Sequence, residues 1–345
     1  MVFSKTLLDW YQANKRELPW RNTREPYLIW LSEIMLQQTR VAQGLPYFIA
    51  FTEAFPTVFD LANADEQEVL KLWQGLGYYS RARNLHQTAK YIANELGGQF
   101  PTTYNDLLKL KGVGEYTAAA IASFSYDEAV PVVDGNVYRV VSRYFGLATD
   151  ISSSGAKKEF TSLAKSVMPN DKAAQFNQAI MEFGALQCVP KNPDCGACVY
   201  NGSCSALQQN KVDTLPIKTK KTKVSNRYFN YLVFLDSNEQ TIIRKRTEKG
   251  IWQNLYEFPL IESNKELSYE ELITEIKLHF PRKTIENISY FNEEQIIHKL
   301  SHQKLHIRFY RIALSKKISN GISLELLKNY PFPVVIFNFI NNYSL

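Results

Sequence analysis

Residues 107–124 read LLKLKGVGEYTAAAIASF. Two helical stretches flank Lys111-Gly112-Val113-Gly114. The glycines permit a tight turn with exposed backbone N–H groups, and the second stretch then points its N-terminus outward. Such a hairpin can grip a phosphate without reading sequence, because the donors and the helix dipole converge on it. Taken alone, a Gly-x-Gly turn is weak evidence, since most such turns merely connect helices. The surrounding chain, from residue 1 to about 215, has the same helical character. Leu7, Leu8, Trp10 and Tyr11, then Tyr27, Trp30, Leu31, Ile34 and Met35, then Val137, Val140, Val141 and Tyr144 recur at helical spacing. Gly97-Gly98 and Phe100-Pro101 punctuate these stretches.

Two carboxylates stand out in this half. Asp134, in Val133-Asp134-Gly135-Asn136-Val137, opens a helix and is well placed as its N-cap. Capping is a sufficient role. A capping carboxylate is also held ionised by N–H donors and the helix dipole, which is the state needed to face a developing cation. Glu33 lies within YLIWLSEIMLQQ, residues 27–38, a helix apolar nearly all round and so largely buried. Burial raises a carboxyl toward neutrality and makes a general acid. Pairing with an arginine such as Arg40, or a place on a narrow exposed strip, remains an equal alternative. Ser32, Glu33, Gln37 and Gln38 gather toward one end, as at a pocket rim.

Cys188, Cys195, Cys198 and Cys204 are the four cysteines of the chain and form C-x6-C-x2-C-x5-C. Four thiolates on one compact loop suit an Fe–S cluster or a tetrahedral zinc ion. Only one short C-x2-C pair is present, so the spacing fits the cluster better. The chain has 345 residues and a net charge of +6, a length that favours two or three domains and a charge that leans mildly toward polyanions. No signal pattern opens it, and no apolar run approaches the ~18 residues of a membrane span. A cytosolic chain keeps its thiols reduced, which again favours a metal site over disulfides.

The character changes after the cysteines. Residues 216–223, PIKTKKTK, read as a basic linker, with phosphate contact and a solvated tether about equally supported. Beyond it, Arg227–Leu235 and Thr241–Arg246 read as strands around an Asp236-Ser237-Asn238 turn. Tyr269–Phe280 reads as an amphipathic helix, Ser289–Leu314 as further strands turning near His302-Gln303, and Pro333–Asn342 as a helix. This half reads as a small α/β or α+β domain.

Taken in order, LKGVGEYTA, VVDGNVYRV and the cysteine spacing resemble the helix-hairpin-helix DNA glycosylases that carry a [4Fe–4S] cluster. Trp20-Arg21 in LPWR, Ser32–Val41 (SEIMLQQTRV) and Gln74–Asn84 (QGLGYYSRARN) place the resemblance in the MutY-type adenine DNA glycosylase branch. It is strong over residues 1 to about 215 and looser beyond. It implies a mainly α catalytic region over 1–217. Within that, a six-helix barrel spans about 24–133, and an Fe–S module combines the N-terminal helix with 134–217. A basic linker over 218–226 and a smaller α/β, Nudix-like (MutT-like) domain over 227–345 follow.

The resemblance also implies roles. Glu33 protonates adenine N7, and Asp134 stabilises the oxocarbenium-like sugar of a flipped-out nucleotide, with Tyr116 and Asn136 lining the site. The related endonuclease III branch has a Schiff-base lysine where Tyr116 stands, so an efficient lyase step is not expected. Trp20, Arg21, Gln38, Thr39, Tyr78, Gly112, Gly114 and Gln178 are implied in substrate and DNA contact. Some members have FNEAL where this chain has Phe176-Asn177-Gln178-Ala179-Ile180, so Gln178 offers no carboxylate. In the second domain residues 250–266 lack the glutamate-rich segment of working Nudix hydrolases, which implies recognition rather than pyrophosphatase activity. Leu300-Ser301-His302 stands where the family has the Phe-Ser-His turn that reads 8-oxoguanine, and His298 lies close by. The implied protein is a cytoplasmic, nucleoid-associated, monomeric glycosylase of bacterial type acting on A:8-oxoguanine or A:G pairs. The competing classes are an endonuclease III-type enzyme for oxidised pyrimidines, a non-catalytic Fe–S DNA binder and a nucleotide pyrophosphatase.

Overall fold

The computed structural model describes residues 2–220, 223–281 and 284–342. The chain forms two compact units: residues 1–63 with 84–220, and residues 64–83 with 221–345.

The first unit is helical. Helix Pro26–Leu36 starts on a proline at its first turn and buries Tyr27 and Ile29 through Met35, Glu33 among them. It packs against Val41–Ala54 and against Glu115–Tyr126. The latter buries Thr117 through Ser125, and its Ala118-Ala119-Ala120 run lets neighbouring backbones come close. A second core joins the N-terminal helix Val2–Asn14 to Gly135–Phe145, Ala156–Val167 and Ala173–Leu186. Phe3, Leu7, Val140, Phe160, Phe176 and Phe183 fill it, and Cys188, Cys198 and Cys204 pack on its edge.

The second unit is built on a mixed sheet. Its strands are β1 (Ser225–Leu235), β2 (Gln240–Thr241), β3 (Arg244–Lys245), β4 (Tyr256–Glu257), β5 (Leu260–Ser263), β6 (Ile285–Tyr290), β7 (Ile296–Lys299), β8 (Gln303–Leu314) and β9 (Ile322–Ser323). The main sheet runs β5-β1-β8-β6, with β7 also on β8; β1 and β8 are parallel and the other pairs antiparallel. Helix Tyr269–His279, fixed by a Ser268/Glu271 capping box, lays Leu272 and Ile276 on one face with Leu232, Phe234 and Ile312. Helix Val334–Asn342 covers the other, where Phe339 stacks on Phe309 at 3.7 Å between centroids.

One sequence expectation differs from this architecture. Thr241–Arg246 is not one strand returning along β1: β5 and β8 already fill both edges of β1, so β2 pairs with β9 and β3 with β4. Residues 64–83 cluster by their contacts with the second unit. Gln74 accepts from Phe332 N–H at 3.0 Å, Asn254 donates to Glu66 at 2.6 Å, and Arg83 donates to the Gln253 carbonyl at 2.8 Å. Among the described residues no helix is long and apolar enough to cross a membrane.

Candidate active site

A cleft of about 660 Å³ opens in the first unit, and Glu33 and Asp134 both line it. That volume is in the range of small-molecule sites. Glu33 projects from the middle of its helix, where every backbone N–H is already spent on the i−4 carbonyl, so only side chains can donate to it. The donor is Tyr116, whose hydroxyl lies 2.7 Å from Glu33 Oε2; the sequence alternative of an Arg40 pair is not the one formed. Glu33 is 5% exposed. Burial pushes its carboxyl up to about 7, with Asp134 adding to the rise while the Tyr116 hydrogen bond and Arg21 oppose it. Burial likewise drives the Tyr116 phenol well above its ordinary range, so it stays a donor.

Asp134 caps helix Gly135–Phe145. Its Oδ1 accepts from the N–H groups of Asn136 and Val137, each at 2.8 Å, and its Oδ2 accepts from Asn136 Nδ2 at 2.7 Å. Burial still raises this carboxyl above the ordinary aspartate value, and these donors, with Arg139, pull it back. The dipole-held, simply ionised aspartate expected from capping is therefore a compromise between desolvation and hydrogen bonding. With three donors on Asp134 and one on Glu33, a single proton shared by the pair belongs on Glu33. Behind Asp134, Arg139 Nη2 donates to Asn136 Oδ1 at 2.8 Å, and its Nε donates to the Cys188 carbonyl at 2.6 Å.

The cleft brings together eight residues singled out in the sequence: Glu33, Asp134, Tyr116, Asn136, Trp20, Arg21, Thr39 and Gln178. Trp20 is buried edge-on against Phe48, 5.0 Å between centroids. Gln178 accepts from the Tyr11 hydroxyl at 2.8 Å. Gln38 is exposed just past the helix that carries Glu33, in the left-handed region at φ 56°. Gly112 and Gly114 stand in the hairpin. Gly112 has φ +75°, and a Cβ there would come within 2.7 Å of Asn84 Cβ, so the turn requires glycine. Gly114 caps helix Glu115–Tyr126 without a side-chain cap hydrogen bond on its first turn.

Three charged cleft residues escaped the sequence reading: Arg16, Arg139 and Glu182. Glu182 carried a usable signal, a carboxylate in the apolar stretch FNQAIMEFGAL, the same kind that exposed Glu33.

The four cysteines line one small pocket of about 30 Å³ together with Val140, Arg143 and Tyr200. Arg143 Nη1 points at Cys188 Sγ at 3.5 Å and the Tyr200 N–H at Cys198 Sγ at 3.4 Å, the donors that sulfur ligands commonly receive. Among the described residues no three His, Cys, Asp or Glu side chains are gathered tightly enough for a single metal ion.

In the second unit, Tyr78, Ser301, His302 and Trp252 line a separate cleft of about 320 Å³. The Tyr78 and Ser301 hydroxyls are 2.5 Å apart. Tyr78 is 47% exposed and so is not a core aromatic. His298 is half-buried beside Trp252, 5.9 Å between ring centroids, and burial lowers its pKa.

Residues 31–166 match the family described as HhH-GPD superfamily base excision DNA repair protein, and residues 230–342 match a NUDIX domain. The adenine DNA glycosylase of Buchnera aphidicola subsp. Schizaphis graminum is 38% identical over 307 residues, covering 89% of this chain and 86% of its own. The Homo sapiens adenine DNA glycosylase is 43% identical over 217 residues, 60% of this chain and 40% of its own. A thermostable thymine-DNA glycosylase superposes with a TM-score of 0.56 at 31% identity, over 60% of this chain and 96% of its own. A non-covalent endonuclease III–DNA complex shares the fold, with a TM-score of 0.53 at 20% identity over 61% and 95% of the two chains. The helical fold and its two-carboxylate cleft thus define a helix-hairpin-helix protein of base-excision DNA repair, followed by a Nudix domain. Within that class, the chain belongs to the adenine DNA glycosylase (MutY) family.

Proposed function

We propose that the chain hydrolyses the N-glycosidic bond of adenine paired with 8-oxoguanine or guanine in duplex DNA. The observation that carries this reading is the pair of carboxylates on one cleft with opposed environments: Glu33 buried with one donor, Asp134 buried with three. Glu33 gives its proton to adenine N7, the C1′–N9 bond breaks with its electron pair passing to N9, and neutral adenine leaves. Asp134 faces the positive sugar. Water then adds to C1′ and yields its proton to a carboxylate, leaving an abasic site. Tyr116 holds Glu33 and offers no amine for a Schiff base, which separates this reading from an endonuclease III-type lyase. Adenine reaches the cleft by flipping out of the duplex, while the Gly112–Gly114 hairpin holds backbone phosphate.

The four cysteines fit a [4Fe–4S] cluster: all-thiolate donors around one pocket, with N–H donors on two sulfurs. When bound, the cluster supplies cross-linking of the loop over residues 188–204 and takes no part in the glycosidic step. Ser301 and His302, beside Tyr78, are assigned to the base opposite adenine; the Ser301 hydroxyl can accept from the N7–H that 8-oxoguanine has and guanine lacks. The protein works as a cytoplasmic monomer on DNA.

The test is incubation with duplexes carrying A:8-oxoguanine, A:G, and thymine glycol opposite A, scored for free base before and after alkali. Adenine release with strand breaks only after alkali is expected. Thymine glycol release with a borohydride-trapped adduct, and no adenine release, overturns the reading. Ser301→Ala should reduce the preference for A:8-oxoguanine over A:G by about tenfold, the worth of one specific hydrogen bond.

A further inference from the structure

The cleft carries a third carboxylate that this chemistry leaves unused. Glu182, on helix Ala173–Leu186, is 1% exposed and lines the same cleft as Glu33 and Asp134. Two arginines hold it. Arg16 donates to Oε1 from its backbone N–H at 2.9 Å and from Nε at 2.8 Å, and to Oε2 from Nη2 at 2.6 Å. Arg21 donates to Oε1 from Nη1 at 2.9 Å and to Oε2 from Nη2 at 2.6 Å. Arg21 Nη1 also reaches the Arg16 carbonyl at 2.9 Å. Burial alone would push the Glu182 carboxyl up; the two arginines overturn that and hold it at about 2. Glu182 is therefore ionised at every working pH, and the two guanidiniums and one carboxylate leave one net positive charge on the cleft wall.

That charge matters to Glu33. Tyr116 donates to it, Asp134 repels its ionised form, and Arg21 favours its ionised form. Arg16, Arg40 and Arg139 also line the cleft, and Arg139 is occupied by Asn136 and by the Gly184 and Cys188 carbonyls. An uncompensated Arg16–Arg21 pair would draw the proton off Glu33 before any base arrived. We propose that Glu182 is a positioning residue, clamping Arg16 and Arg21 to the cleft wall and cancelling part of their charge so that Glu33 holds the proton it delivers. This rests on the reading of Glu33 as the acid. A purely structural ion pair would join the same segments but would not set the protonation of a neighbour.

The experiment is single-turnover adenine release by the full chain across roughly pH 5.5 to 9, for wild type, Glu182→Gln, Glu182→Asp and Arg16→Gln. Release falls as pH rises through the midpoint at which Glu33 ionises. Loss of the Glu182 charge stabilises ionised Glu33, so Glu182→Gln should move that midpoint down by about half to one unit. It should then be about three- to tenfold slower than wild type above the midpoint and little changed well below it. Glu182→Asp should restore the midpoint. Arg16→Gln removes a positive charge and should move the midpoint up. A Glu182→Gln profile that is lower in amplitude but unmoved in midpoint overturns the proposal. If Glu182→Gln does not fold, Arg16→Gln decides alone, since Arg16 is the more exposed partner at 36%, and an unmoved midpoint there overturns it equally. Glu33→Gln keeps the two failures apart: an active Glu33→Gln protein sinks the acid assignment itself, while an inactive one with unmoved midpoints sinks only the role of Glu182.

Discussion

Glu33→Gln should abolish base release and at the same time stabilise the fold above neutral pH. Glu33 titrates at about 7 in the folded chain against an ordinary value of 4.5. The difference, 7 minus 4.5, is about 2.5 units, or roughly 3 kcal/mol at ~1.36 kcal/mol per unit. The folded carboxyl binds its proton more tightly than the unfolded one. Its contribution to stability is therefore fully present below about pH 4.5 and is lost as pH rises through about 7. Above that, wild type must hold a buried carboxylate with a single donor, Tyr116. The amide of the variant has nearly the same shape, accepts from the same hydroxyl and carries no charge. Urea denaturation of both proteins at roughly pH 5 and pH 8 reads the difference. The variant should gain about 2.5 kcal/mol on wild type between the two conditions, equivalent to roughly 5–10 °C in melting temperature for a unit of this size. Parallel pH dependence in the two proteins, or a variant less stable than wild type at pH 8, would refute the reasoning.

Three further outcomes follow from the same geometry. Tyr116→Phe removes the hydrogen bond that opposes the rise of Glu33, so the basic limb of the release profile should move to higher pH; a shift to lower pH in single-turnover assays contradicts the assignment. Asp134→Asn keeps an N-cap of equal quality but removes the charge facing the sugar. Melting should change by less than about 1 kcal/mol while release falls by at least about 100-fold, and comparable loss in both would make Asp134 a cap and nothing more. Gly112→Ala meets both a left-handed backbone and Asn84, so it should cost about 1–3 kcal/mol of stability and weaken duplex binding equally for all sequences. Filter binding that shows a sequence-dependent loss would argue against a phosphate-holding hairpin.

The features legible in the sequence are those whose signal is local. The Gly112 and Gly114 turn, the cysteine spacing and the Asp134 cap each declare themselves within about twenty residues. Glu33 is legible because an ionisable group in an otherwise apolar helix has few inexpensive explanations. Glu182 sends the same signal from FNQAIMEFGAL, but its meaning lies in Arg16 and Arg21, separated from it by 166 and 161 residues. Helix Glu66–Leu72 is readable as a helix, yet nothing in its pattern says which side chains it meets. Asn254, Tyr256 and Phe332 decide that, through Glu66, Gln67 and Gln74. The strand expected over Thr241–Arg246 failed for a related reason: edge occupancy belongs to the whole sheet, and both edges of β1 were taken.

The division of labour between the two carboxylates precedes their side chains. A position in mid-helix has no free backbone N–H, so a carboxyl placed there is stabilised only by what other side chains bring. At Glu33 they bring one phenol. A position at N-cap faces two or three N–H groups without intrahelical partners, so a carboxyl there collects donors from the backbone itself. At Asp134 it collects two, and Asn136 adds a third from its side chain. Exchanging aspartate and glutamate between the two sites would leave each backbone environment unchanged: the mid-helix site would still favour the proton and the cap would still favour the charge. On the proposed reading, the acid and the charge stabiliser differ because helices Pro26–Leu36 and Gly135–Phe145 place the two carboxyls, one by its middle and the other by its beginning, on a shared cleft.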